Sequence, residues 1–239
     1  MLFAAVFVVA VLSGATATVA GFGIGSLLTP VLALRVAMPT AVAAIALPHF
    51  LATALRFWRL RRDVDWTVLR RFGVLSAAGS LAGALLAGPL GARVLTLVLG
   101  GLLVLTGGFA VTGAASLNVA RGLVWPLGAL SGLFGGLAGN QGGMRAVALL
   151  QFRLTPAAFV ATATASALLV DLARTPVYLW RGSDALRPLW PLIADAAVGV
   201  LLGTLLGERI LVGMSQERFR RVVGVVVLVV GLTILARTS

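Results

Sequence analysis

Gly139-Asn140-Gln141-Gly142-Gly143-Met144-Arg145 interrupts an otherwise apolar run that ends at Ala138 and resumes toward Leu150. Glycines, two amides and a guanidinium do not continue a lipid-facing helix. Backbone freed from helical pairing inside hydrocarbon must be satisfied by protein or by a wet cavity. A second cluster, Gly21-Phe22-Gly23-Ile24-Gly25-Ser26, follows the apolar stretch Leu2 to Val19. Each cluster is followed by a short apolar stretch and then an arginine, Arg35 in one case and Arg153 in the other. Both predict broken helices.

Outward from these breaks the chain reads as apolar segments of near-spanning length. They run from Leu2 to Val19, Met38 to Phe57, Trp66 to Ala87, Val94 to Val111, Gly122 to Ala138, Thr155 to Trp180, Leu189 to Leu206 and Phe219 to Ala236. A shift of 117 positions lays Gly25 on Gly142, Leu32 on Leu149, Pro39 on Pro156, Ala41 on Ala158, Ala44 on Ala161 and Ala46 on Ala163. A shift of 120 lays Gly79 and Gly83 on Gly199 and Gly203. The chain therefore divides into two similar membrane repeats, near 1–115 and 116–239. Matched broken helices in duplicated halves point to a transporter.

Composition agrees with a membrane solvent. Of 239 residues 60% are hydrophobic and 11% charged, and mean hydropathy is +1.07; a soluble fold of this size cannot cover so much apolar surface. There is no cysteine and one histidine, His49, so metal sites built from thiolates or imidazoles are not expected. All 19 basic residues are arginine and the formal charge is +12. They lie between apolar stretches, as in a protein that anchors itself against anionic lipid, and no soluble basic domain suggests nucleic acid. Ala15-Thr16-Ala17 has the small residues of a signal cleavage site, but the first basic residue is Arg35, so the stretch is expected to stay in the mature protein.

Arginine placement predicts orientation. With re-entrant broken helices and an inverted second half, the cytoplasmic loops hold 12 arginines: Arg56, Arg59, Arg61, Arg62, Arg70, Arg71, Arg121, Arg153, Arg209, Arg218, Arg220 and Arg221. Five lie outside: Arg35, Arg93, Arg181, Arg187 and Arg237. Fully crossing helices would give 10 against 7. The positive-inside bias favours inverted repeats of about four helical elements each, in a bacterial inner membrane, with both termini periplasmic.

Gly142 and Gly143 would open a half-helix whose free N–H groups and positive dipole end favour an anion. Arg145 in its first turn offers a fork suited to a sulfonate, sulfite or carboxylate; alternatively it pairs with Asp171 or a carbonyl and fixes the fold. Asn140 and Gln141 join this candidate site. So do Gly25, Ser26 and Thr29 from the uncharged first break, and Thr162 and Ser166 from the Ala/Thr-rich sixth segment. His49, Asp171 and Asp195 are candidates for a proton relay. A lone histidine is as often a packing residue, and Asp171 is well placed to pair with Arg174 three residues on. The repeats Gly128/Gly132/Gly136 and Gly199/Gly203/Gly207 read as helix-packing seams. The charges of Arg59 to Asp65 and Glu208 to Arg221 read as solvated loops.

The glycine-rich breaks, each leading to a short helix, a proline and an Ala/Thr-rich helix, resemble the sulfite exporter TauE/SafE family of membrane permeases. The residues that carry the resemblance are Gly21 to Pro30, Gly135 to Gly143, and Ala161-Thr162-Ala163-Thr164-Ala165-Ser166 after Pro156. The resemblance implies transport of small sulfur-containing or organic anions, coupled to an ion gradient. The expected partners are a small anion, membrane lipids and a coupling ion, H+ or Na+; a homodimer is an open arrangement, and no cofactor is expected. A membrane-embedded enzyme and a passive anion channel are the competing readings. An enzyme needs paired acids, a histidine set or an activated nucleophile within reach of one another, and one His with two intramembrane Asp falls short of that.

Overall fold

A computed structural model of the chain describes residues 2–20, 23–112, 123–210 and 216–238, without the side chains of 19, 20 and 208–220. Gly21, Phe22, Arg121, the junction near 115–116, and the side chains of Glu208, Arg209, Arg218 and Arg220 lie outside the described residues.

The described residues are almost wholly helical and include no strand. Helix α1 (Leu2–Ala20) is followed by α2 (Ile24–Ala33), α3 (Met38–Leu60), the single turn α4 (Trp66–Val68) and α5 (Val74–Thr112). Then come α6 (Val124–Ala138), α7 (Gly142–Leu149), α8 (Pro156–Leu186), α9 (Trp190–Ile210) and α10 (Gln216–Thr238). Gly91, at φ 74, divides α5 into two helical stretches of spanning length. Among the described residues four runs are long and apolar enough to cross a bilayer: Met38–Asp63, Trp66–Thr112, Pro156–Gly207 and Arg221–Thr238. Large apolar side chains such as Leu105, Leu172, Val198 and Val229 stand exposed around the bundle. Trp58, Trp66, Trp180 and Trp190 are also exposed, near the ends of the long helices, where indole rings sit at a membrane interface. This is an all-α membrane fold.

Both expected breaks are present, and both turn the chain back on itself. Gly139 ends α6 in the left-handed conformation, φ 70, with its N–H donating to Gly135 O at 3.0 Å. Helix α7 then returns along α6, so that the rings of Trp125 and Phe152 lie 5.4 Å apart. Helix α2 likewise folds back, and Val9 and Leu12 of α1 share a cleft with Val31 of α2 and with Leu34, which caps its end. At about 1.5 Å per residue, the 15 residues of α6 span about 22 Å and fall short of the hydrocarbon thickness.

The glycine seams are where the predicted close approaches occur. A Cβ on Gly136 would meet Ser80 O at 2.1 Å and Ala84 N at 2.7 Å. One on Gly14 would meet Val200 O at 2.2 Å and Thr204 N at 2.9 Å. Ser80 and Val200, like Ala84 and Thr204, are 120 positions apart. Thus α6 packs on the first stretch of α5 as α1 packs on α9. Without a hydrophobic drive between helices in lipid, close packing of this kind contributes to their adhesion. At the centre α3 packs against α8.

Two sequence expectations are corrected here. Arg56 is not a loop charge: α3 continues to Leu60, and Arg56 turns inward, 3% exposed, to donate to Ala17 O. Asp65 does more than solvate a loop, because its carboxylate caps α4 by accepting the N–H groups of Thr67 at 2.9 Å and Val68 at 3.0 Å.

Candidate functional site

The two breaks meet. Ser26 Oγ donates to Asn140 Oδ1 at 3.2 Å. A Cβ on Gly25 would lie 2.2 Å from Gly139 O, so only glycine lets α2 start this close to the other break. Around the junction lies a small polar hollow lined by Ala17, Gly23, Gly25 and Ser26 of the first hairpin and by Gly139 to Gly142 and Arg145 of the second. His49 and Arg56 of α3 complete it.

The second hairpin is fixed from behind. Ser131 Oγ donates to Gln141 O at 3.2 Å, and the Arg145 N–H donates to Gln141 O at 3.1 Å as α7 begins. Two guanidinium groups are buried at this spot, Arg56 at 3% and Arg145 at 4% exposure. The amide Nδ2 of Asn140 and both polar side-chain atoms of Gln141 are buried without a hydrogen-bond partner. Buried polar groups ordinarily find one. The hollow has a volume of only about 10 Å³, room for about one water molecule.

Beside the hollow, on α3 and α8, a polar ladder runs through the core. His49 Nδ1 is 2.6 Å from Asp171 Oδ2 and 3.3 Å from Thr53 Oγ1. Asp171 Oδ1 accepts from Arg174 Nη2 at 2.8 Å and Nε at 3.1 Å, and Arg174 Nη1 donates to Gly135 O at 2.6 Å. Tyr178 donates to Gly136 O one turn on. The last turn of α6 is thus held by α8.

Of the residues singled out from the sequence, Gly25, Ser26, Asn140, Gln141, Gly142, Arg145 and His49 line the hollow, and Asp171 touches His49. The others lie elsewhere. Thr29 is buried close to Gly139, with its Oγ1 3.7 Å from where a Cβ of that glycine would be. Gly143 faces Thr106 of α5. Thr162 Oγ1 accepts the Asp65 N–H at 2.9 Å. Ser166 is fully buried on α8, and Asp195 sits on α9 away from the hollow. Arg56 and Ala17 were missed as lining residues. The available signal was a shift of 118, which lays Arg56 on Arg174.

A larger cavity of about 210 Å³ lies next to the hollow, lined in part by Pro39, Val42, Ala84, Leu137, Tyr178 and Arg181. Val42 also packs on Gly139, with its Cγ1 3.3 Å from where a Cβ would be.

Neither a curated protein nor a solved structure matches the chain. The model of the family described as "Sulfite exporter TauE/SafE" matches residues 6–234, nearly the whole length. With its apolar helices and paired hairpins, the chain belongs to the sulfite exporter TauE/SafE family and is a multi-pass membrane transporter, not an enzyme.

Proposed function

We propose that this transporter moves small sulfur-containing or organic anions, such as sulfite and sulfonates, across the bacterial inner membrane by a secondary mechanism. The observation that carries the reading is the junction of the two hairpins, where unwound backbone, unpartnered amides and two buried arginines face one hollow. A guanidinium fork with helix N–H groups suits a trigonal or tetrahedral oxyanion, and intramembrane charge is kept where function needs it. The halves 1–115 and 116–239 are read as inverted repeats, with Arg62 and Arg153 cytoplasmic, Arg93 and Arg187 periplasmic, and both termini periplasmic. The arginine bias stands without Arg56.

Because the hollow fits about one water, the anion enters only after the hairpins part. The 210 Å³ cavity is the approach from the outer side, with Arg181 at its rim. The His49–Asp171 pair is the place for a coupling proton, since both groups ionise and both lie in the core.

Flux of sulfite and sulfonates into proteoliposomes tests this. Saturable uptake that responds to a pH or sodium gradient is expected, and Arg145→Ala abolishes it while the protein still inserts. Flux that rises linearly with concentration and ignores both gradients is the result expected of a passive channel. Unchanged kinetics in Arg145→Ala would remove the central role given to that residue.

A further inference from the structure

Arg56 and Arg174 occupy corresponding places in the two halves and differ in the residue that stands three before each. Arg174 donates to Gly135 O in the last turn of α6, and Arg56 donates to Ala17 O near the end of α1. Each also reaches the residue three before it: Arg174 Nη2 meets Asp171 at 2.8 Å, and Arg56 Nη2 meets Thr53 at 3.5 Å. All three pairs, Ala17 with Gly135, Thr53 with Asp171 and Arg56 with Arg174, stand 118 positions apart. The same latch has been built twice, once with a carboxylate and once with a hydroxyl.

We infer that Thr53, by standing where the other half has a carboxylate, leaves the charge of Arg56 for the transported anion and so sets the charge selectivity of the site. Arg174 is neutralised in place and does not line the hollow. Arg56 has only neutral hydrogen-bond partners, its Nε has none, and it lines the hollow. Asp171 is already committed, with one oxygen to Arg174 and the other to His49. A guanidinium this buried, without a bonded carboxylate, is a strong attractor for an anion that reaches it. The inference rests on the proposed anion site and assigns within it the residue that reads substrate charge.

Binding of a monoanion, methanesulfonate, and a dianion, sulfoacetate, to the purified full-length protein by calorimetry tests it. Thr53→Asp restores the missing carboxylate, and Thr53→Asn has the same shape without the charge. Thr53→Asp should bind sulfoacetate at least about tenfold more weakly than Thr53→Asn, with a smaller loss for methanesulfonate. Should Thr53→Asp not yield folded protein, Arg56→Gln should show the same charge-graded loss and Arg56→Lys should restore most of it. Equal affinities for Thr53→Asp and Thr53→Asn, or an Arg56→Gln loss that Arg56→Lys does not relieve, overturn the inference alone. Failure of the unaltered protein to bind either anion overturns the anion site and this inference with it.

Discussion

His49 and Asp171 come from opposite halves of the chain, yet Nδ1 of one lies 2.6 Å from Oδ2 of the other at the contact between α3 and α8. The same carboxylate holds Arg174, so three ionisable side chains share one buried knot. Removing one partner from such a knot strands charge in the core. Asp171→Asn should therefore destabilise the protein by about 3–5 kcal/mol, read as a lower thermal midpoint in detergent. Adding Arg174→Gln should recover part of the loss; strictly additive losses would mean that the two side chains are not coupled.

Gly25 bears the closest approach between the hairpins. Because a Cβ there would lie 2.2 Å from Gly139 O, Gly25→Ala must push the hairpins apart. The variant should insert normally and lose transport. Retained flux at unaltered KM would show that the breaks need not touch during the cycle.

Ser26 and Asn140 can be checked for contact directly, because the chain has no cysteine of its own. Their side-chain oxygens are 3.2 Å apart, so Ser26→Cys with Asn140→Cys should form a disulfide under mild oxidation. Thiol titration before and after oxidation reads the result. Two thiols that stay titratable would place the breaks apart in the membrane.

Inversion of the repeats predicts which face of the membrane each loop occupies. Cysteines replacing Arg62 and Arg153 should react with a membrane-impermeant reagent only from the cytoplasmic side, and those replacing Arg93 and Arg187 only from the periplasmic side. Arg62 and Arg153 labelled from opposite faces would rule inversion out.

The seams predict a contrast among glycines. Gly203→Val would drive a side chain into Val11 O, 2.0 Å from the ideal Cβ, and should cost about 1–3 kcal/mol. Gly101 meets nothing within 4 Å, so Gly101→Ala should be neutral or stabilise by up to about 1 kcal/mol in detergent melts.

The hairpins were legible in the sequence because glycine and amides inside an apolar run have few other uses in a bilayer. Asn140 to Gly142 and Gly25-Ser26 were found that way, and they line one hollow. Arg56 is not legible that way, because it precedes Arg59, Arg61 and Arg62 and reads with them as loop charge. One further turn of α3 keeps it inside. Thr162 shares a polar stretch with Ser166, but its place on the helix turns it toward Asp65 instead. The His49–Asp171 contact joins residues 122 positions apart, a pairing that no local pattern encodes.

A space that admits about one solvent molecule has a consequence for the cell as well as for the anion. No continuous file of water can thread it, so protons have no wire to hop along and small ions no hydrated lane. In this closed arrangement the junction of the hairpins holds no conducting path, so a gradient across the membrane does not drain through that point.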